Sequence, residues 1–305
     1  MKILVTGAGG YLGSRVCYEL MKDHDIIPID NFYSSQTDKI NGNKILNVDI
    51  RNREAMEKLL PFDCIVHLAA ISGIPECAND PDLAYEVNIL GTLNIAYLCC
   101  KYKIPLIFAS SMAIFGDLKY FPIDENHPRN PINFYGLTKY VGMENIKLFS
   151  KNSFPAYIFI ISNVYGDHVI NGKKITKNAV INKFISSVKE NRDMTVYKPG
   201  TQARNFIHVK DVASAYRLAV SKIFNEKNCQ EFCLAGNESA SVLEISDMMK
   251  KYAEKHGYNP RIKFLDNPRK ETLVKDFSVD ISRIKEIGFE SKYKIKEAIK
   301  EMFEE

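Results

Sequence analysis

Lys2–Gly13 reads KILVTGAGGYLG, a short apolar run that passes directly into three glycines spaced G-x-x-G-x-x-G at Gly7, Gly10 and Gly13. Lys2–Thr6 has the apolar, β-branched character of a strand, and Gly10–Met21 reads as a helix. A strand that turns at once into a helix needs backbone unencumbered by side chains, which glycine supplies. The first N–H groups of such a helix lack internal partners and can take an anion such as a pyrophosphate. A tight turn also calls for glycine, so the motif alone is weak. Its place between strand and helix is the context a dinucleotide site requires.

Outward from this turn, apolar strands alternate with helical stretches. Asp25–Ile29, Lys44–Val48, Asp63–Ala69, Ile104–Ala109 and Pro155–Ile161 read as further strands. Helices are expected between them, notably Pro81–Tyr102, where Pro81 suits a first helical position, and Ile132–Lys151. Continuous apolar strands joined by helices predict a doubly wound, parallel α/β sheet covered on both faces. Beyond about Tyr165 the chain is richer in Lys and Asn and alternates less regularly, which predicts a smaller α/β lobe over 166–305, with 204–225 returning to the first domain of 1–165. Ser241-Val-Leu-Glu244 has the form of a capping box opening a helix that stops near Gly257.

Composition removes several function classes. The 305 residues carry a net charge of only +4, with both signs interspersed, so no basic block suits nucleic acid or a membrane surface. No apolar run approaches the roughly 18 residues a bilayer span needs, and the N-terminal apolar stretch breaks at Gly7, too soon for a signal peptide. Seven cysteines without metal spacing read as reduced thiols of a cytoplasmic protein. No metal site is expected.

Individual residues add chemistry. Asp30 ends the second strand, where a carboxylate can accept both ribose hydroxyls of an adenosine and repel a 2′-phosphate, favouring NAD over NADP. Arg15 is a counter-signal, read as facing solvent. Asp49, after the third strand, either reaches the adenine edge or caps its own turn. Tyr135 and Lys139 are one helical turn apart on one face. A tyrosine pKa of about 10 falls when cations lie nearby, which would let Tyr135 act as a base near neutral pH. Ser110 and Ser111 close the fifth strand, at the edge where open parallel sheets bind ligands; Ser111 can hold a substrate oxygen beside Tyr135, although paired serines also serve as caps.

Taken together these features resemble the extended short-chain dehydrogenase/reductase family, and within it the nucleotide-sugar epimerases. The matching pieces are Gly7-Ala-Gly-Gly10-Tyr-Leu-Gly13, Asp30-Asn31, Asp49-Ile50, His67-Leu-Ala-Ala70, Asn88-Ile-Leu-Gly-Thr92, Ser110-Ser111-Met-Ala-Ile-Phe-Gly116, Tyr135-Gly-Leu-Thr-Lys139, Asn163-Val-Tyr-Gly166 and Arg204-Asn-Phe-Ile-His-Val-Lys-Asp211. The resemblance implies a Rossmann domain with NAD as cofactor, held at Gly7, Gly10, Tyr11, Leu12, Gly13, Asp30, Asn31, Asp49, Ile50, Leu68, Ala69, Ala70, Asn88, Tyr135 and Lys139. It implies Ser111, Tyr135 and Lys139 as catalytic residues. Asn163, Asn178 and Arg204 would hold a substrate diphosphate, Val196 and Tyr197 the uracil, and Arg269 a second phosphate contact. It further implies a UDP-sugar as partner and a homodimer built on the helices Pro81–Tyr102 and Ile132–Lys151.

Met112 and Ala113 follow Ser111 where the family's dehydratases carry an acid–base pair, and neither can transfer a proton. What remains is oxidation at sugar carbon 4 with hydride return to the other face, which is 4-epimerisation of a UDP-hexose or UDP-N-acetylhexosamine. The alternatives are a nucleotide-sugar 4-dehydrogenase or reductase, and a non-catalytic dinucleotide sensor. Ile160, Ile161, Ser162 and Ser72 depart from the family pattern and leave the sugar open. The resemblance places the family's size gate near Lys275–Ser278, where Phe277 would close the pocket and Ser278 would open it.

Overall fold

The computed structural model describes residues 1–267, 274 and 277–304. Seven parallel strands form the main sheet: β1 (Lys2–Thr6), β2 (Asp25–Asp30), β3 (Leu46–Asn47), β4 (Cys64–His67), β5 (Leu106–Ser111), β6 (Ala156–Ile161) and β10 (Cys229–Leu234). Their order across the sheet is β10-β6-β5-β4-β1-β2-β3, and every pairing is parallel. The chain therefore reverses direction across the sheet between β1 and β4, the place where the carboxyl ends of strands open a crevice.

Period-two alternation builds the layers. Ile3 and Val5 of β1, with Tyr157, Phe159 and Ile161 of β6, face the helices α1 (Tyr11–Leu20) and Val209–Lys222. Leu4, Ile158 and Ile160 face the opposite way, against α2 (Pro81–Tyr102) and α3 (Phe134–Ser150). Successive strand side chains point to opposite faces, so an unbroken apolar strand fills both. Contrary to the sequence reading that no stretch approaches this length, α2 is long and apolar enough to span a membrane by length and composition alone, because a core helix is apolar too; its Ala84, Val87, Ile95, Ala96, Leu98 and Cys99 are buried against the sheet.

The smaller lobe has its own core. A three-stranded sheet places β9 (Ala203–His208) between β7 (Asn163–Tyr165) and β11 (Glu238–Ser241). β8 (Met194–Tyr197) pairs with β12 (Ile262–Leu265). The helices Val180–Lys189, Val242–Lys255 and Ile295–Glu304 pack around Phe184, Ile185, Val196, Phe206, Ile245 and Ile299. The capping box is present: the Ser241 hydroxyl accepts from the Glu244 amide and the Glu244 carboxylate accepts from the Ser241 amide.

Two features differ from the sequence reading. Residues 203–208 join the smaller sheet rather than the main one, and only the helix after them returns to cover α1. The main sheet gains a seventh strand from Cys229–Leu234, inside the stretch assigned to the second lobe. Its first three residues are Cys, Gln and Glu and only half-buried at the sheet edge, so the apolar signal is confined to Phe232, Cys233 and Leu234.

Candidate active site

The glycine turn at the end of β1 is as tight as its sequence demands. Gly7 sits at φ +70°, and a Cβ there would lie 2.7 Å from the Ala69 amide nitrogen. A Cβ on Gly13 would lie 1.9 Å from the Gly7 carbonyl oxygen, so α1 and β1 approach backbone to backbone. Gly10 is the residue before α1 and offers no side-chain cap. The N–H groups of Tyr11 and Leu12 thus head an uncapped helix N-terminus, which fits the pyrophosphate of a dinucleotide.

Asp30 is buried beside this turn and accepts from the Gly9 amide at 2.9 Å, the Phe32 amide at 2.8 Å and the Ser35 hydroxyl at 2.6 Å. An ionised carboxylate has about four acceptor sites, so Asp30 keeps capacity for a ribose hydroxyl. Arg15 pairs with Glu19 at 2.8 Å along α1 and is largely buried rather than facing solvent. Asp49 serves its own turn: it accepts from the Arg51 amide at 2.8 Å and from Asn31 at 2.9 Å, and pairs with the Arg51 guanidinium. Burial opposes ionisation there, but the Arg51 and Asn31 hydrogen bonds hold the carboxyl at about 2. The Ile50 side chain is buried under Gly91, where an added Cβ would meet it at 2.5 Å.

Leu68, Ala69 and Ala70 leave β4 against the glycine turn and are half-buried. Thr6, fully buried, accepts the Leu68 and Ala69 amides on its hydroxyl, each at 3.1 Å, and bonds His67 Nδ1 at 2.7 Å. His67 Nε2 reaches the Thr92 hydroxyl at 3.0 Å. Burial, aided by the Lys139 charge, drives the imidazole down to about 3, so it is neutral. Asn88 lies in the π-helical turn Glu86–Gly91 of α2, a distortion frequent at functional sites. It bonds both backbone groups of Ile71 and the Thr138 hydroxyl. The Thr6, His67, Thr92 and Thr138 scaffold was not read from the sequence. The threonines inside Val5-Thr6-Gly7 and Leu137-Thr138-Lys139 were the available hint.

Asn133 caps α3 by accepting the Gly136 amide at 2.8 Å, and α3 then brings Tyr135 and Lys139 to the end of β5. Ser111 is near enough to the Tyr135 phenol to lower its pKa, and its hydroxyl accepts the Ala113 amide at 3.2 Å. Lys139 is buried, donates to the Ala109 carbonyl at 2.9 Å and lies over the Phe108 ring. The expected lowering of the tyrosine pKa by Lys139 does not follow from these contacts. Burial pushes Tyr135 up to about 12 against the lowering effect of Ser111. Burial likewise drives Lys139 down to about 8, with Cys77 opposing. Desolvation outweighs any attraction between the two groups.

In the second lobe, Asn163 is exposed and donates to the Asn205 carbonyl at 2.9 Å, beside half-buried Arg204 on β9. Asn178 is exposed just before the helix Val180–Lys189. Val196 is fully buried in the lobe core, while Tyr197, next along β8, is 46% exposed. Arg269 and Lys275 lie outside the described residues.

The parallel sheet, the glycine turn and the Ser111–Tyr135–Lys139 group define an enzyme class that moves a hydride with the help of a bound dinucleotide. The chain belongs to the NAD dependent epimerase/dehydratase family, whose model matches residues 3–235, and its cofactor is NAD. A provisionally named UDP-glucose 4-epimerase of Methanocaldococcus jannaschii is 33% identical over 98% of this chain and 96% of its own length. The UDP-glucose 4-epimerase of Bacillus subtilis is 26% identical over 97% and 94%. Among solved structures, the UDP-glucose 4-epimerase of Thermotoga maritima with UDP-glucose superposes with a TM-score of 0.86 at 26% identity, covering 100% of this chain and 98% of that one. The UDP-N-acetylglucosamine 4-epimerase of Methanobrevibacter ruminantium, in complex with UDP-N-acetylmuramic acid, superposes with a TM-score of 0.85 at 25% identity over 98% and 97%.

Asp30→Ala is expected to raise the NAD Kd at least about tenfold, the loss of one or more hydrogen bonds to a charged group, and to leave UDP affinity unchanged. Calorimetric titration of both ligands checks it; equal loss of both would mean a folding defect instead.

Proposed function

We propose that this chain is a UDP-sugar 4-epimerase acting on UDP-hexoses and UDP-N-acetylhexosamines. The observation that carries the reading is the placement of Ser111 beside the Tyr135 phenol at the carboxyl edge of the sheet, followed by Met112 and Ala113, which offer no second proton-transfer group. Tyr135 takes the proton of the sugar 4-hydroxyl, and Ser111 holds the same oxygen. Lys139 anchors the nicotinamide ribose. Bound NAD supplies a reversible hydride acceptor and a positive charge beside the phenol, the influence that brings a tyrosine raised by burial back toward its working range. Asn163, Asn178 and Arg204 hold the nucleotide diphosphate and Val196 and Tyr197 the uracil, so the 4-keto sugar turns about a fixed anchor. Incubation with UDP-glucose and UDP-N-acetylglucosamine, with the C4 epimers resolved by NMR, tests the reading; return of every sugar unchanged would refute it.

The gate supports tolerance of an N-acetyl group. Phe277 packs against Phe121 with ring centroids 5.5 Å apart, and it joins the apolar cluster beneath. Ser278 is exposed, its carbonyl accepting the Ile123 amide at 2.9 Å. Arg204→Ala should raise the UDP-sugar KM at least about tenfold, since hydrogen bonds to charged groups contribute more than neutral ones, and should weaken free UDP equally. Undiminished UDP affinity would remove Arg204 from the site.

The homodimer reading draws on Tyr85, Leu90 and Tyr102 of α2 and Phe134 and Leu148 of α3, all between 39% and 73% exposed. The two helices pack side by side, and outward apolar residues on adjacent helices mark a face that association would cover. Light scattering at micromolar concentration should give twice the chain mass; a monomer would count against the dimer. The seven free cysteines suit a reducing, cytoplasmic setting.

A further inference from the structure

After β7 the chain does not run straight to the helix Val180–Lys189. It first folds a hairpin, His168–Ile170 against Lys173–Ile175, turned by Asn171 at φ 50° and Gly172 at φ 77°. By sequence this hairpin belongs to the smaller lobe, yet it packs on the dinucleotide side. Ile170 and Ile175, 1% and 0% exposed, share a core with Ile40 and Ile45 and with Val16, Cys17 and Leu20 of α1.

Its polar groups reach further. The Gln36 amide donates to the Thr176 carbonyl at 2.8 Å, and the Thr176 N–H donates back to Gln36 Oε1 at 3.0 Å. The Lys173 ammonium donates to the Gln36 carbonyl, and the Asn171 amide to the Lys39 carbonyl at 2.7 Å. Behind these, the Tyr11 hydroxyl donates to the Gly166 carbonyl at 2.6 Å, and Ser14 bonds His168 at 3.0 Å.

The loop so held lies on the dinucleotide seat. The Gln36 and Thr37 amides donate to the Gly9 carbonyl at 2.8 and 3.3 Å. Ser35 donates to Asp30 at 2.6 Å. A Cβ on Gly9 would lie 2.7 Å from the Ser35 hydroxyl, so loop and glycine turn are in direct contact. Between Asn31 and Asp38 no side chain is fully buried, and a loop with so little apolar anchorage opens readily unless something else holds it.

We propose that the hairpin at 168–175 is a clasp that holds the Phe32–Thr37 loop over bound NAD, with the reciprocal Gln36–Thr176 pair as its catch. The inference rests on reading the glycine turn and Asp30 as the seat of the dinucleotide. NAD leaves by its adenosine end only after the catch opens. An enzyme that regenerates its cofactor within each cycle has use for such a device, because a dinucleotide lost midway strands a keto sugar.

Gln36→Ala removes both bonds of the catch from a half-exposed position. Protein loaded with NADH and chased with excess NAD reports release through the decay of nicotinamide fluorescence. Losing two neutral hydrogen bonds should speed release about tenfold or more, with an unchanged far-UV circular dichroism spectrum. Lys173→Ala, which removes one bond from an exposed ammonium, should act in the same direction. Release from both variants at the parent rate, with fast release from Asp30→Ala, would overturn the clasp and leave the seat standing. Parent-like release from Asp30→Ala as well would overturn the seat, and the clasp with it.

Discussion

Tyr135→Phe is expected to remain folded and to keep its NAD while losing about 10²–10⁴-fold in kcat, the usual contribution of a general acid–base group. The ring is packed against the apolar cluster on the α2 and α3 side of the sheet; phenylalanine keeps that packing and removes only the phenol oxygen. Phenylalanine fills the same buried space, so stability should not fall. Single-turnover kinetics separates the chemical step from binding. A variant with near-normal kcat would remove Tyr135 from the mechanism.

The second large effect is expected at Gly13. Gly13→Ala places a Cβ 1.9 Å from the Gly7 carbonyl oxygen, 2.7 Å from its carbonyl carbon and 3.0 Å from the Ala8 Cα. All three are backbone atoms, so no side chain can rotate away and the turn itself must move. Overpacking of this kind costs about 1–3 kcal/mol, and the strain falls on the N–H groups of the uncapped helix N-terminus proposed to seat the pyrophosphate. The purified variant should have lost its bound NAD, read from the ratio of absorbance at 260 and 280 nm, and its melting temperature should drop. Gly42→Ala provides the contrast: its Cβ would meet nothing within 4 Å, and only its φ of +81° opposes the change. Normal NAD content in Gly13→Ala would show that the turn does not seat the dinucleotide.

The sequence was most informative where one physical demand dominates. β1, the glycine turn and α1 follow from the apolar run and its three glycines, and the helix 81–102 is bounded by Pro81 at one end and by Lys103, at φ 58°, at the other. Ser111, Tyr135 and Lys139 were legible as a set because strand end and helix register fix their approach. Elements stabilised by tertiary context were not. Cys229–Cys233 reads as strand-forming, but its place in the main sheet is not legible, because its pairing with β6 brings together distant parts of the chain. The hairpins at 39–44 and 168–175 each carry an Asn-Gly turn, at Asn41-Gly42 and Asn171-Gly172, and that pair is a strong short-range hairpin signal. Their strands are only two or three residues long, too short to show alternation. At the pair 196–197 the buried–exposed alternation of β8 turns Val196 inward and Tyr197 outward. The tyrosine pKa went the other way because the sequence shows that Lys139 is near but not how dry the site is.

The central claim is oxidation and return at one sugar carbon on a cofactor that stays bound. The most direct measurement incubates the protein, carrying only its co-purified NAD and with none added, with a thousandfold excess of UDP-glucose, following absorbance at 340 nm alongside the sugar by NMR. The account predicts conversion to the equilibrium mixture of C4 epimers over many turnovers per NAD, with no accumulation of NADH. Reduced cofactor formed in step with a released keto sugar, and turnover that stops when the bound NAD is spent, would contradict it and identify a dehydrogenase.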